Sequence, residues 1–275
     1  MSFSSHRRRK SFGQHWIKDI GVLEKILNSA NLSALDRVLE IGPGHGALTQ
    51  KLLEANVNSV HAIEIDKSLI NSLMNKFAHY QNLNLIEADF LSLPFSSFGA
   101  SPPNKVVANI PYNITGPLLE RLVGKLGLIP EINFELLVLL VQKEVADRIL
   151  ASPGDSSFSA LSVRMQLLSN SYNVCDVPPS CFEPRPKVYS KVIIIRPYKA
   201  CERLSLEIEN KVERLLKVAF LERRKKLRNT LISFSKLELL EDLAKNIGVS
   251  LDQRPQELSP TNWIDLAKGI QLLTK

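Results

Sequence analysis

The stretch Asn109-Ile110-Pro111-Tyr112 carries the most specific chemical signal in the chain. It places two hydrogen-bond acceptors beside an aromatic ring. The acceptors are the Asn109 side-chain oxygen and the Ile110 carbonyl, which is exposed where Pro111 bends the backbone. This trio suits the exocyclic amino nitrogen of a planar base. The lone pair of an adenine N6 is delocalised into its ring and is a poor nucleophile. Two acceptors aimed at its N–H groups favour the pyramidal nitrogen of a methyl-transfer transition state. The Tyr112 ring offers a surface on which the base stacks. A methyl group on a sulfonium is already activated, so neither a metal nor a strong general base is required. In isolation an Asn-Pro turn beside a core tyrosine reads the same way. Three signals upstream decide between the two.

The first is Glu40-Ile41-Gly42-Pro43-Gly44-His45-Gly46, where a strand runs into a helix. Glycines there let the backbone turn sharply and approach a ligand closely. The spacing is G-x-G-x-G, not the G-x-G-x-x-G of a dinucleotide fold. The second is Glu64, at the end of the next strand, where a carboxylate can accept from both hydroxyls of a ribose. The third is Asp89, followed by Phe90, placed to accept from an adenine amino group with a ring packed nearby. Ligand-type residues at three consecutive strand ends predict the crevice of an open α/β sheet. They fit S-adenosylmethionine better than a nicotinamide cofactor.

The elements that must position these residues follow from apolar patterning. Strands are predicted over 37–41, 60–65, 83–87, 105–108 and 135–141, with helices over 48–54, 68–77, 118–126 and 143–150 between and after them. This alternation predicts a parallel sheet covered by helices on both faces. Late strands over 172–177 and 191–196 read as an antiparallel edge. The predicted fold is therefore α/β, with a mostly parallel seven-stranded sheet of Rossmann-like kind. After Pro197 only helical patterns remain. Val212, Leu215, Leu216, Ala219 and Phe220 share one face, as do Trp263, Leu266, Ala267 and Ile270 behind the Ser259-Pro260 start signal. A boundary near residue 198 divides the chain into a catalytic domain, 1–198, with a basic N-terminal arm, and a small all-helical domain, 199–275, for RNA.

The net charge of +7 favours a polyanionic partner. Its distribution says more. Arg7, Arg8, Arg9 and Lys10 form one cluster; Arg223, Arg224, Lys225, Lys226 and Arg228 form a second, expected at a helix start and read as phosphate-binding. The three cysteines, Cys175, Cys181 and Cys201, match no metal-ligand spacing and read as free thiols of a reducing cytoplasm. No apolar run is long enough to span a bilayer.

A base stacked inside a helix cannot reach such a pocket, so the target is flipped out or lies in a single-stranded loop. Phe182, in a proline-stiffened loop, either stacks on that base opposite Tyr112 or packs the loop. At this point the chain resembles the KsgA-type ribosomal RNA adenine N6-dimethyltransferases. The likeness runs from Lys10-Ser11-Phe12-Gly13-Gln14-His15-Trp16-Ile17 through residues 40–46, 109–113, 141–145, 182–188 and 223–229 to Arg254-Pro255-Gln256-Glu257-Leu258-Ser259. It implies a class I S-adenosylmethionine methyltransferase fold. It also implies dimethylation of two adjacent adenosines in the 3′-terminal hairpin loop of small-subunit rRNA, in free rRNA or a 30S-type particle, by a cytoplasmic monomer. Cofactor contacts are implied at His15, Ile17, Gly42, Glu64, Asp89 and Asn109, and the second stacking ring at Phe182. Trp16 and Ile17 stand where the family has Phe and Leu. Erm-type large-subunit methyltransferases share the cofactor and reaction motifs; the segment after residue 240 favours the small-subunit type. A non-catalytic RNA-binding assembly or transcription factor on the same scaffold would not need Asn109, Pro111 and Tyr112 intact.

Overall fold

A computed structural model describes residues 15–273. The Arg7 to Lys10 cluster and residues 10–14 of the opening motif lie outside the described residues. The strands are β1 (Trp16–Ile17), β2 (Arg37–Ile41), β3 (Ser59–Glu64), β4 (Leu83–Glu87), β5 (Lys105–Asn109), β6 (Leu136–Gln142), β7 (Ser169–Val177), β8 (Phe182–Glu183) and β9 (Ser190–Pro197). The helices are α1 (Ile20–Ala30), α2 (Ala47–Glu54), α3 (Lys67–Lys76), α4 (Thr115–Val123), α5 (Lys143–Leu150), α6 (Ala160–Leu168), α7 (Leu206–Leu221), α8 (Leu227–Leu231), α9 (Leu237–Asn246) and α10 (Pro260–Leu273).

Seven strands form one sheet in the order β4-β3-β2-β5-β6-β9-β7. β4, β3, β2, β5 and β6 pair in parallel, and β9 joins β6 antiparallel. The chain builds outward from β2 in one direction, then returns beside it with β5 and builds the other way. That reversal opens a crevice at the carboxyl ends of β2 and β5. The strands are apolar on both faces, as a parallel sheet requires. On one face Val38, Val60, Ala62, Val107, Val138, Leu140 and Val192 meet Val22, Leu23, Ile26, Leu48, Leu52 and Leu73 of α1, α2 and α3. On the other, Leu39, Ile41, Ile63, Val106, Ala108, Leu139 and Ile193 are equally buried. Below the sheet Lys105 bonds Asp36 at 2.9 Å and the Asn31 carbonyl at 2.7 Å, which ties β5 to the left-handed end of α1.

The chain divides into two compact units. Of the described residues, the first holds 15–122, 131–146 and 172–196; the second holds 123–130, 147–171 and 197–273. The last crossover thus falls at Pro197. Two earlier segments also belong to the second unit, which a single boundary near residue 198 does not describe. Inside the second unit the faces predicted for α7 and α10 are buried: Val212, Leu216, Ala219, Trp263 and Leu266 are 0% exposed. Ser259 caps α10, its hydroxyl accepting from the Asn262 N–H at 3.1 Å. A buried ion pair, Arg203 with Glu209 at 2.5 Å, also receives the Gly127 N–H at 2.8 Å and draws segment 123–130 into this unit.

Candidate active site

The crevice holds a cavity of about 270 Å³. It is lined by Gly42 and Gly44 after β2, Glu64 ending β3, Ala88, Asp89 and Phe90 after β4, and Asn109 to Ile114 ending and following β5, together with His15 and Trp16. Gly44 has φ +59°, and a Cβ there would fall 2.4 Å from Trp16 Cδ1. Only glycine fits both the turn and the indole above it. The Trp16 ring also packs on His45, with centroids 4.1 Å apart.

Glu64 is almost fully buried, at 4% exposure. Its Oε1 accepts from the N–H groups of Ile65 and Asp66, both at 3.0 Å, and Oε2 accepts from Gly44 at 3.2 Å. Burial raises its pKa, against the pull of those N–H donors. A carboxylate offers about four acceptor directions, so one remains, on Oε2. A two-hydroxyl contact with a ribose therefore requires a loop bond to give way. Asp89 is more open. One oxygen accepts from the Leu91 N–H at 2.9 Å, and the other is available at the cavity wall.

Asn109 is oriented by a bond no local pattern reveals. Its Nδ2 donates to the His15 carbonyl at 2.8 Å. That bond turns Oδ1 into the amide's available acceptor, without a partner among the described residues. The Ile110 N–H is taken by the Leu140 carbonyl at 3.0 Å, while the Ile110 carbonyl receives no backbone donor among the described residues. The two acceptors expected from the sequence are thus both unspent. The Tyr112 hydroxyl bonds the buried Ser190 of β9 at 2.5 Å, which fixes the ring. Burial raises the Tyr112 pKa, so the phenol stays neutral.

His15, Gly42, Glu64, Asp89, Asn109, Ile110, Pro111 and Tyr112 come together here. Ile17 and Phe182 do not. They pair across the short antiparallel ladder β1–β8, and Phe182 is 0% exposed in the core. Alternation along β8 turns Phe182 inward and Glu183 outward. The ring expected opposite Tyr112 is a packing residue in this structure. Among the described residues the ring that packs on Tyr112 is His15, with centroids 5.3 Å apart, and its Nδ1 is bonded to the Pro184 carbonyl at 2.8 Å.

Three residues with a part in the site were missed from sequence. Ser190 anchors Tyr112. Arg121 of α4 bonds the carbonyls of Leu91 and Leu93 and lies 5.1 and 4.4 Å from the Phe90 and Phe95 ring centres. It clamps the segment that carries the Phe90 wall. Glu40, buried behind the glycine loop, has its pKa pushed up to about 8 by burial, with the Glu64 charge adding and donors on Thr49 opposing. Each depends on a partner far away in sequence; only a charged residue inside a buried strand hinted at Glu40.

The second basic cluster runs through a turn into the start of α8, with Lys226 at its N-cap and Arg228 in its first turn. Residues 223–226 form a turn between α7 and α8. Much of its charge is already engaged: Lys225 with Glu222 at 2.7 Å, Lys226 and Arg228 with Asp252 at 3.1 and 2.9 Å, and Arg223 with the Ser156 carbonyl at 2.6 Å. Arg224 is exposed, with no ionic partner among the described residues.

Residues 5–272 match the family described as Ribosomal RNA adenine dimethylase. The chain belongs to this family. It is 59% identical, over all of its length and 98% of the relative's, to Ribosomal RNA small subunit methyltransferase A of Prochlorococcus marinus (strain MIT 9211). It is 54% identical to the protein of that name from Synechococcus sp. (strain CC9605), over 98% of each chain. Among solved structures it resembles a dimethyladenosine transferase from Plasmodium falciparum, with TM-score 0.76 and 29% identity over 92% of this chain and 96% of that one. It also resembles the 23S rRNA methyltransferase ErmE, with TM-score 0.73 and 25% identity over 93% and 99%. The fold is that of the class I S-adenosylmethionine methyltransferases, and S-adenosylmethionine is the methyl donor. The donor set fits it: a glycine loop open to close approach, carboxylates at two neighbouring strand ends, and an apolar wall of Ile41, Ile63 and Phe90. Among the described residues no helix is long and apolar enough to cross a membrane.

Proposed function

We propose that this protein dimethylates N6 of two adjacent adenosines in the 3′-terminal hairpin loop of small-subunit rRNA, acting as a cytoplasmic monomer on rRNA or the small ribosomal particle. The observation that carries the chemistry is the pairing of Asn109 Oδ1 with the Ile110 carbonyl: the bond from Asn109 Nδ2 to the His15 carbonyl leaves Oδ1 as the amide's acceptor, and the Ile110 carbonyl receives no backbone donor among the described residues. Bound S-adenosylmethionine supplies an electrophilic methyl group. Gly42, Glu64 and Asp89 would hold its nucleoside and Gly44 the close approach of its chain. The target adenine lies on Tyr112, whose ring Ser190 keeps from turning. Asn109 and Ile110 accept from the N6–H groups and favour a pyramidal nitrogen with its lone pair toward the methyl. A methylated amino nitrogen is acidic, and its surplus proton passes to water. The monomethylated product retains one N–H and can return for the second transfer.

The full-length match to relatives named for the small subunit favours that target over a large-subunit adenine. Mass spectrometry of small-subunit rRNA from cells with and without the gene tests the assignment. Dimethyladenosine present with the gene and absent without it is expected; the same modification in both overturns it.

A further inference from the structure

Between β8 and β9 the span 184–189 is tied at both ends to walls of the cavity. The Pro184 carbonyl bonds His15 Nδ1 at 2.8 Å. At the other end Ser190 holds the Tyr112 hydroxyl at 2.5 Å, and the Tyr189 carbonyl accepts from the Lys143 N–H at 2.9 Å. Pro186 is buried beneath the span, whereas Arg185, Lys187, Val188 and Tyr189 are exposed. Val188 and Tyr189 are 45% and 53% exposed, which contributes little to packing. Arg185 and Lys187 have no ionic partner among the described residues. The neighbouring carboxylates are engaged: Glu183 faces Lys18 at 3.8 Å, and Asp176 is shared by Lys143 at 3.2 Å and Lys191 at 3.4 Å. A rigidly anchored rim beside Tyr112 thus presents two uncompensated cations and an open aromatic ring.

We infer that residues 185–189 form a binding rim for the single-stranded RNA on either side of the target adenosine. Arg185 and Lys187 contact flanking phosphates, and Tyr189 stacks a neighbouring base. The inference rests on the reading of the cavity as an RNA adenine site. A base drawn into the cavity brings its own backbone to the mouth and leaves its neighbours without a stacking partner. Cations compensate the first consequence and an aromatic platform the second.

The test uses the full chain and a fluorescent RNA hairpin with an adenine-containing loop, titrated between about 50 and 200 mM salt. In Arg185→Gln/Lys187→Gln the slope of log affinity against log salt falls by about 1.4, two single-strand phosphate contacts at roughly 0.7 each. Tyr189→Ala weakens binding about 5- to 150-fold, the range for one base–aromatic stack, and Tyr189→Phe restores it. S-adenosylhomocysteine affinity by calorimetry stays unchanged in all three, since none lines the cavity. An unchanged slope in the double variant, or an unchanged affinity in Tyr189→Ala, overturns the rim while wild-type methylation of the hairpin leaves the adenine site standing. A wild-type protein that methylates no RNA adenine removes the adenine site and the rim with it.

Discussion

Asn109 has two roles that a substitution can separate. Its oxygen faces the reacting nitrogen in the proposed mechanism, and its nitrogen holds the His15 carbonyl. Asn109→Ala loses both, and loss of a positioned transition-state hydrogen bond costs about 2.7–4 kcal/mol, a rate loss of roughly 10²–10³. Single-turnover assays on unmodified and monomethylated RNA should show that loss with S-adenosylhomocysteine still bound; near-normal rates on both substrates would defeat the mechanism. Glu40 supplies a second residue-scale expectation. A carboxyl whose pKa is higher in the folded chain binds its proton more tightly there, so the native state loses ground as pH rises. For Glu40 that loss runs from the ordinary 4.5 to about 8. Glu40→Gln removes the titration, so its melting temperature gains on the wild type across this window and holds a constant lead above it. A difference that does not change with pH would show that Glu40 does not titrate there.

At the scale of elements, the segment after β4 forms one wall of the cavity, and α4 clamps it through a single side chain. Arg121 gives charged hydrogen bonds to two backbone carbonyls and lies against two rings, while its Nε has no hydrogen-bond partner among the described residues. Hydrogen bonds to charged groups contribute about 1.5–3 kcal/mol each. Arg121→Gln keeps at most part of this, so the Phe90 wall loosens. We expect the cofactor KM to rise about tenfold or more, the equivalent of losing one such bond, with kcat changed less. Steady-state kinetics with saturating RNA separate the two. A fall in kcat at constant cofactor KM would place the effect of Arg121 elsewhere.

At the scale of the whole molecule, a charge of +7 says that a polyanion is attracted but not where it sits. Intramolecular pairing decides which cations of the second cluster remain for phosphate. Lys226 already faces Asp252, whereas Arg224 has no ionic partner among the described residues. Arg224→Gln should lower the salt slope of RNA binding by about 0.7–0.9, one phosphate contact. Lys226→Gln should change it less, because Asp252 partly cancels that charge in the free protein. Equal effects from the two substitutions would show that the Asp252 pair opens on binding.

Much of the site was legible in one dimension because strand ends and their following turns are local. The periodicity of 37–41, 83–87 and 105–108 puts Gly42, Asp89 and Asn109 at carboxyl ends, and parallel pairing brings those ends to one edge of the sheet. The motif Asn109 to Tyr112 announced its acceptors for the same reason. What only the tertiary structure decided involves partners distant in sequence. Phe182 was open between stacking and packing until a two-residue ladder with β1, too short to leave a periodic signal, turned it into the core. The bond from Asn109 to His15, the anchor of Tyr112 on Ser190 and the clamp of Arg121 on Leu91 and Leu93 join elements by side chains that no spacing rule connects. The charge of the Arg223 to Arg228 cluster was plain in the sequence. The pairing of Lys226 and Arg228 with Asp252 was not, because an ion pair depends on distance in space rather than along the chain.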